Sequence, residues 1–60
     1  MIIKGKLIEI GDLEGNAGRG LRLDREGDTI QITGFNYEDC REVAKYYGKW
    51  LVITISEMEA

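Results

Sequence analysis

A chain of 60 residues provides one small domain, residues 1–60, and leaves no room for a second. Its formal net charge of −3 argues against broad, sequence-independent DNA binding, which depends on neutralising phosphates with Lys and Arg. One Cys and no His exclude an internal disulfide and argue against a structural zinc site. The opening MIIKGKLIEI is too short and too charged for a signal peptide or a membrane span, so we expect a cytoplasmic protein without a membrane segment.

The first predicted element is a strand from Met1 to Ile10, which is rich in Ile and Leu. Its alternation of apolar and polar residues slips between Lys6 and Glu9, and this slip predicts a bulge or a bend. Residues 11–20 hold four of the eight glycines, so we expect a loop there.

A β-hairpin is predicted next. Leu21 to Asp24 and Thr29 to Thr33 both alternate between apolar and polar residues. The four residues between them contain Gly27 at a position that suits a positive φ, so they predict a tight turn.

The segment after the hairpin has the start and stop signals of a helix. Asn36 suits the N-cap, because its side-chain oxygen can accept a hydrogen bond from a free N–H of the first turn, and Gly48 suits the C-terminal end. Phe35 and Cys40 have the spacing of a hydrophobic staple. Cys40 is interpreted as a small core residue, because the chain has no His to activate it as a nucleophile. The predicted apolar stripe consists of Tyr37, Cys40, Val43, Ala44 and Tyr47.

The last predicted element is a strand from Trp50 to Ser56. It is apolar on both faces, a pattern typical of a strand in the centre of a sheet. The order β-β-β-α-β predicts an α+β fold, a four-stranded and mostly antiparallel sheet with one helix packed on one face. The alternative is a small open barrel that resembles an OB-fold in placing a helix after the third strand, although the sequence offers no fifth strand.

The glycine-rich segment Gly15–Gly20 raises the question of a phosphate-binding loop. Its first and last glycines have the spacing of the G-x-x-x-x-G-K-[ST] motif, but Leu21 and Arg22 occupy the Lys and Ser/Thr positions. A strand follows, so no helix N-terminus is available to hold a phosphate. We interpret the segment as a flexible turn, and a binding loop that uses Arg19 is the alternative.

Two groups of residues are candidates for an interaction site. Arg19, Arg22 and Arg25 are spaced so that they could contact a phosphate backbone or an acidic partner. The alternative without a binding function is a solvent-exposed face whose positive charges are balanced by Asp24, Glu26 and Asp28. The second group surrounds the end of the helix, where aromatic and basic side chains suit base stacking, a protein-binding hot spot, or simple packing at the edge of the core. It consists of Tyr46, Tyr47, Lys49 and Trp50.

No residues for catalysis, for a cofactor or for a metal are expected, and no small-molecule substrate is evident, since a chain of this size hardly forms a ligand pocket. We therefore expect a non-enzymatic protein-interaction or regulatory module that binds a protein partner or forms a homodimer near Trp50. The alternative is a nucleic-acid-binding module that uses Arg19, Arg22, Arg25 and the aromatic cluster Tyr46–Trp50.

The chain resembles the short accessory proteins of temperate bacteriophages and prophages as a general type. The resemblance lies in the compact MIIKGKL start without an export signal, in the single capped helix and in the stand-alone length. It implies a bacterial cytoplasmic setting and binding to a host or phage protein, and it assigns no role to any single residue.

Overall fold

The computed structural model describes residues 1–59, and within them it contains four strands and one α-helix. Strand β1 spans Ile2–Leu13, β2 spans Gly18–Arg25, β3 spans Asp28–Thr33 and β4 spans Trp50–Thr54, while helix α1 spans Tyr37–Ala44. A short 3-10 turn, Glu14–Asn16, joins β1 to β2. The predicted order β-β-β-α-β is therefore confirmed.

The strands form one antiparallel sheet in the order β3-β2-β1-β4, which confirms the α+β prediction. Across residues 1–59, β3 and β4 lie at opposite ends of the strand order and are not paired with each other. The sheet is therefore open and has two edges. The structure matches the predicted open sheet rather than the alternative of a small barrel. No helix within residues 1–59 combines the length and the apolar character that crossing a membrane requires.

The core lies on one face of the sheet, which we call the inner face. Its centre is formed by Leu7, Leu21 and Leu23, which are buried. Burial of each such side chain contributes roughly 1.5–3 kcal/mol to folding. Helix α1 covers part of this face, and a ring of partly buried side chains packs around the centre: Ile10, Ile32, Phe35, Val43, Leu51 and Ile53.

Strand β1 is long enough to pair with two different neighbours. Its first part, Ile2 to Lys6, pairs with β4, and its second part, Lys6 to Leu13, pairs with β2. The register with β2 shifts between Leu7 and Glu9, so one strand carries an extra residue there. The bulge predicted from the slipped alternation is confirmed.

The predicted loop over residues 11–20 is largely wrong. β1 continues to Leu13 and β2 begins at Gly18, so only residues 14–17 connect the two strands. Gly11 and Gly18 have φ values of 108° and 109°, a conformation that glycine adopts without the usual steric penalty. These glycines therefore sit in paired strands rather than in a loop. The turn after β2 matches its prediction, with Gly27 at φ 85°.

The assignment of β4 to the centre of the sheet is also wrong. β4 is an edge strand, and within residues 1–59 its only strand partner is β1. Leu51 and Ile53 are partly buried on the inner face, whereas Trp50 and Val52 are exposed. The second apolar side of β4, which suggested a central position, is therefore not covered within the described part of the chain.

Helix α1 begins as predicted and ends earlier than predicted. The Asn36 side chain accepts a hydrogen bond from the Asp39 N–H at 2.8 Å, and the Asp39 carboxylate accepts one from the Asn36 N–H at 3.1 Å, which makes a complete capping box. The helix ends at Ala44, and Gly48 (φ 81°) lies in the turns that follow it.

The apolar stripe of α1 is narrower than expected. Of its five predicted members, only Cys40 and Val43 are partly buried. A helix of eight residues makes about two turns, so only one narrow side of it reaches the sheet. The remaining members are exposed: Tyr37, Ala44 and Tyr47.

Candidate interaction surface

The outer face of the sheet, opposite the core, carries a polar cluster across three strands. Glu9, Arg22 and Gln31 lie side by side on β1, β2 and β3 in the strand register. The Arg22 Nη1 donates to Glu9 Oε1 at 2.6 Å, and the Arg22 Nε donates to Gln31 Oε1 at 3.2 Å, with a second bond from Nη2 to the same oxygen. Glu9 Oε2 also accepts the Glu14 N–H at 2.9 Å. The polar groups of this cluster therefore satisfy one another.

A second arginine is held near the connection between β1 and β2. The Arg19 Nε donates to Asp12 Oδ1 at 3.2 Å, and its Nη2 donates to the Tyr37 hydroxyl at 3.2 Å. The guanidinium carbon lies 4.0 Å from the centroid of the Tyr37 ring, the geometry of a cation–π contact. The side chain is thus fixed between an acid of β1 and the start of α1.

The glycine-rich segment contributes to an open depression beside Arg19. Its volume is about 600 Å³, and it is lined by Asp12, Leu13, Asn16, Gly18 and Arg19. No α-helix begins at this segment in the described chain, so the N–H groups that a phosphate loop supplies from a helix end are not present here. The Asp12 carboxylate beside Arg19 further disfavours an anion at this position.

The predicted acid partners of the arginines are not the ones in the structure. Arg19 and Arg22 pair with Asp12 and Glu9 of β1, not with the acids that neighbour them in the sequence. The antiparallel register causes this, because it places Asp12 opposite Arg19 and Glu9 opposite Arg22. The exposed Arg25 has no ion pair within 4 Å in residues 1–59. The three arginines therefore have different surroundings and do not form one basic site.

The other half of the outer face combines exposed apolar side chains with two lysines. Ile2, Trp50 and Val52 are 63%, 65% and 63% exposed. The register places Lys4 opposite Val52 and Lys6 opposite Trp50, so the alternating side chains of β1 and β4 put all five residues on the same face. We call this surface the β4 patch; it consists of Ile2, Lys4, Lys6, Trp50 and Val52.

The backbone of β4 also has free hydrogen-bonding groups along its outer edge. Met1 and Ile55 exchange two backbone bonds, at 3.0 and 2.8 Å, so they form a hydrogen-bonded pair. Since such pairs alternate along an antiparallel ladder, Ile53 and Leu51 bond to β1 as well. The alternate residues of β4 direct their N–H and C=O groups to the open edge; these are Trp50, Val52 and Thr54.

This edge lacks two of the features that commonly protect an edge strand. Its sequence, WLVIT, contains no charged residue and no proline, although edge strands of natural proteins commonly carry one or the other. By contrast, the opposite edge strand, β3, begins with the charged Asp28. The β4 edge is therefore the better template for pairing with another chain.

The residues of the predicted aromatic cluster, Tyr46 to Trp50, do not form one continuous surface. Tyr46 and Tyr47 lie in the turns after α1, and the Lys45 Nζ lies 5.3 Å from the centroid of the Tyr46 ring. Trp50 instead borders an open groove of about 560 Å³ on the sheet, and Lys49 is exposed between the two regions. The groove brings Trp50 together with residues from other elements: Lys4, Arg25, Glu26 and Asp28.

Sequence reasoning missed part of this surface. It placed Trp50 and Val52 together on one face of the last strand but did not include Lys4 or Lys6, which become their neighbours only through the pairing of β1 with β4. The alternation of β1 was a usable signal, because it places both lysines on the face opposite Leu7. A grouping of three or more metal-ligating side chains does not occur in residues 1–59.

Comparison of the chain with protein-family models, with curated proteins and with solved structures finds no match.

Proposed function

We propose that the chain is a non-enzymatic protein-interaction module, and that the edge of β4 together with the β4 patch is its binding surface. The observation that carries the proposal is the combination of free backbone groups and exposed apolar side chains on one strand. An extended segment of a partner pairs with such an edge through main-chain hydrogen bonds, and the neighbouring side chains supply specificity.

The distribution of polar contacts supports this assignment. Arg22 and Glu9 are bound to each other, and Arg19 is bound to Asp12, so these groups have few donors left for a partner. In the β4 patch, Trp50 offers a large apolar surface of the type that anchors protein interfaces. We place the protein in the cytoplasm, and we propose that its partner is a protein, either a second copy of this chain or a host or phage protein.

A matched pair of substitutions tests the proposal. Trp50→Glu places a charge in the binding surface, whereas Tyr37→Glu changes an aromatic residue of similar exposure, 69% against 65%, near the start of α1. We expect the immobilised parent and the immobilised Tyr37→Glu protein to capture the same protein from a bacterial lysate to which the free parent chain has been added, and Trp50→Glu to lose it. The purified partner should then bind the parent in calorimetry. Equal capture by all three proteins would contradict the proposed surface.

Single-stranded nucleic acid is a second candidate, because Lys4, Lys6 and Arg25 lie near Trp50. Aromatic side chains beside cations bind single strands by base stacking and phosphate contacts. Trp50 is the only tryptophan, so its fluorescence reports binding at this surface directly. Quenching by an oligonucleotide that weakens steeply with salt, and that Lys4→Gln with Lys6→Gln abolishes, would favour nucleic acid over protein.

A further inference from the structure

We infer that the occupant of the β4 edge is a second copy of this chain, whose β4 pairs antiparallel with the first around a two-fold axis at Val52. The inference rests on the proposed function, because it uses the same edge, and it names the partner and the register.

The hydrogen-bond pattern of β4 fits this register. Trp50, Val52 and Thr54 direct their N–H and C=O groups outward, as the reciprocal bonds between Met1 and Ile55 require. A two-fold axis at Val52 places Val52 opposite its own equivalent, and Trp50 opposite Thr54 of the second copy. Every outward group of the five-residue strand then has a partner, and the contact closes on itself as a symmetric dimer.

The charges that flank β4 favour a second copy in the antiparallel orientation. Lys45 and Lys49 precede the strand, and Glu57 and Glu59 follow it, all of them exposed. In an antiparallel dimer, the acidic end of one copy lies beside the basic end of the other. A parallel arrangement would bring like charges together, which is unfavourable. The charges around β4 are therefore complementary to those of a second copy that runs in the opposite direction.

The same arrangement covers apolar surface. Val52 of each copy lies against Val52 of the other, and each Trp50 gains Thr54 as a cross-strand neighbour on the outer face. Lys49 and Glu57 have no ion pair within 4 Å in the part of the chain from residue 1 to 59, so both are free to pair across the contact. Among residues 1–59, the one ion pair of Lys45 is with Glu42, through a long exposed contact of 3.5 Å.

The first experiment measures mass by light scattering coupled to size exclusion. We expect the parent chain of 6.8 kDa to have about twice that mass at high micromolar concentration. Val52→Lys should be monomeric, because it places two like charges at the two-fold axis. Thr29→Lys is the matched control: it adds the same charge at an exposed β-branched residue of the opposite edge strand, and it should stay dimeric.

The second experiment tests the register with disulfides. In a Cys40→Ala background, Val52→Cys should form a covalent dimer on mild oxidation, because a hydrogen-bonded antiparallel pair has a Cα–Cα distance of about 5.5 Å. That distance lies within the range of about 4.4–6.8 Å that a disulfide requires. Thr54→Cys is the control, and it should remain monomeric under denaturing conditions because its neighbour across the axis is Trp50.

The third experiment exchanges charges. Glu57→Lys should weaken the dimer by roughly two- to fivefold for each charge pair lost, the effect of an exposed ion pair. Adding Lys49→Glu to Glu57→Lys should restore the parent affinity. An unchanged dissociation constant in Glu57→Lys would overturn the antiparallel overlap of the two ends.

The remaining outcomes separate this inference from the function on which it rests. A parent protein that is monomeric at high micromolar concentration overturns self-pairing. If that monomer still captures a protein in a manner that depends on Trp50, the interaction module stands and only its partner is different. A dimer that survives Val52→Lys, or that Val52→Cys does not cross-link, overturns pairing through β4.

Discussion

The two halves of the outer face differ, although they share strand β1. Where β1 pairs with β2, the outward side chains of Glu9, Arg22 and Gln31 bind one another. Where β1 pairs with β4, the outward side chains of Trp50 and Val52 are apolar and exposed. Full burial of an apolar side chain of this size contributes roughly 1.5–3 kcal/mol, and the single chain leaves most of this contribution unused at both residues. The first half thus serves folding, and the second half is suited to binding.

The largest expected effect comes from Gly20, in the half that serves folding. A Cβ at this position would lie 1.8 Å from the Ile32 carbonyl oxygen on β3, a contact that only a backbone shift relieves. Gly20→Ala should therefore lower the free energy of unfolding by about 3 kcal/mol or more, measured by chemical denaturation.

Gly15→Ala is the control for this substitution. Gly15 has φ 74° but no atom within 4 Å of its ideal Cβ position, so its change to Ala should cost only about 1–2 kcal/mol of backbone strain. If the two variants lose equal stability, close contact between β2 and β3 does not make Gly20 necessary.

The next effect compares an inner-face residue of β2 with an inner-face residue of β4. Leu23 is fully buried, and Leu23→Ala should cost about 2–5 kcal/mol because it leaves a cavity. Ile53 is partly buried on an edge strand, so Ile53→Ala should cost less, about 1–2 kcal/mol, than it would in a central strand. Thermal unfolding monitored by circular dichroism measures both, and equal losses would mean that stability is spread evenly over the sheet.

A smaller effect is expected for the polar cluster. Arg22→Ala leaves the partly buried carboxylate of Glu9 without its ion pair, and should cost about 1–2 kcal/mol, between the values for exposed and buried pairs. Arg25→Ala removes an exposed arginine at the end of the same strand and should change stability by less than about 0.5 kcal/mol. A double-mutant cycle with Glu9→Gln isolates the pair, and a coupling near zero would contradict its role in folding.

The smallest effect on folding is expected in the β4 patch. Trp50→Glu should change the free energy of unfolding of the monomer by less than about 0.5 kcal/mol, because the side chain is 65% exposed. Urea denaturation at a concentration below that of self-association measures this change. A loss above 1 kcal/mol, on the order of a core substitution, would show that Trp50 belongs to folding rather than to binding.

The element order could be predicted from local signals. Asn36 caps α1 and Gly27 adopts a positive φ in the hairpin turn, both as their neighbours in the sequence indicated. The extension of β1 to Leu13 could not be predicted, because Gly11 and Asp12 are typical of turns. Pairing with β2 overrides that preference, and pairing depends on residues far along the chain.

The candidate site was predictable only in part. Exposed Trp50 was identified, but an apolar strand of seven residues looks the same whether it is covered by its own chain or by another. The partners of Arg19 and Arg22 were missed for a related reason, since Asp12 and Glu9 become their neighbours only in the register of β1 with β2. The acids that lie near these arginines in the sequence, Asp24, Glu26 and Asp28, were the simpler prediction, and they are not the partners in the structure.

The length of chain between β1 and β4 has a kinetic consequence. β1, β2 and β3 are consecutive antiparallel neighbours, whereas Ile3 pairs with Ile53, fifty residues later. Closing so long a loop is slow compared with forming consecutive hairpins, so β4 should dock last during folding and open first in the native state. Amide protons of Leu51 and Ile53 should accordingly exchange with solvent sooner than those of Leu21 and Leu23. A β4 strand that opens while the hairpins persist is also free to dock on the β1 strand of another copy, so exchange of this strand between chains is the misassembly to expect at high concentration.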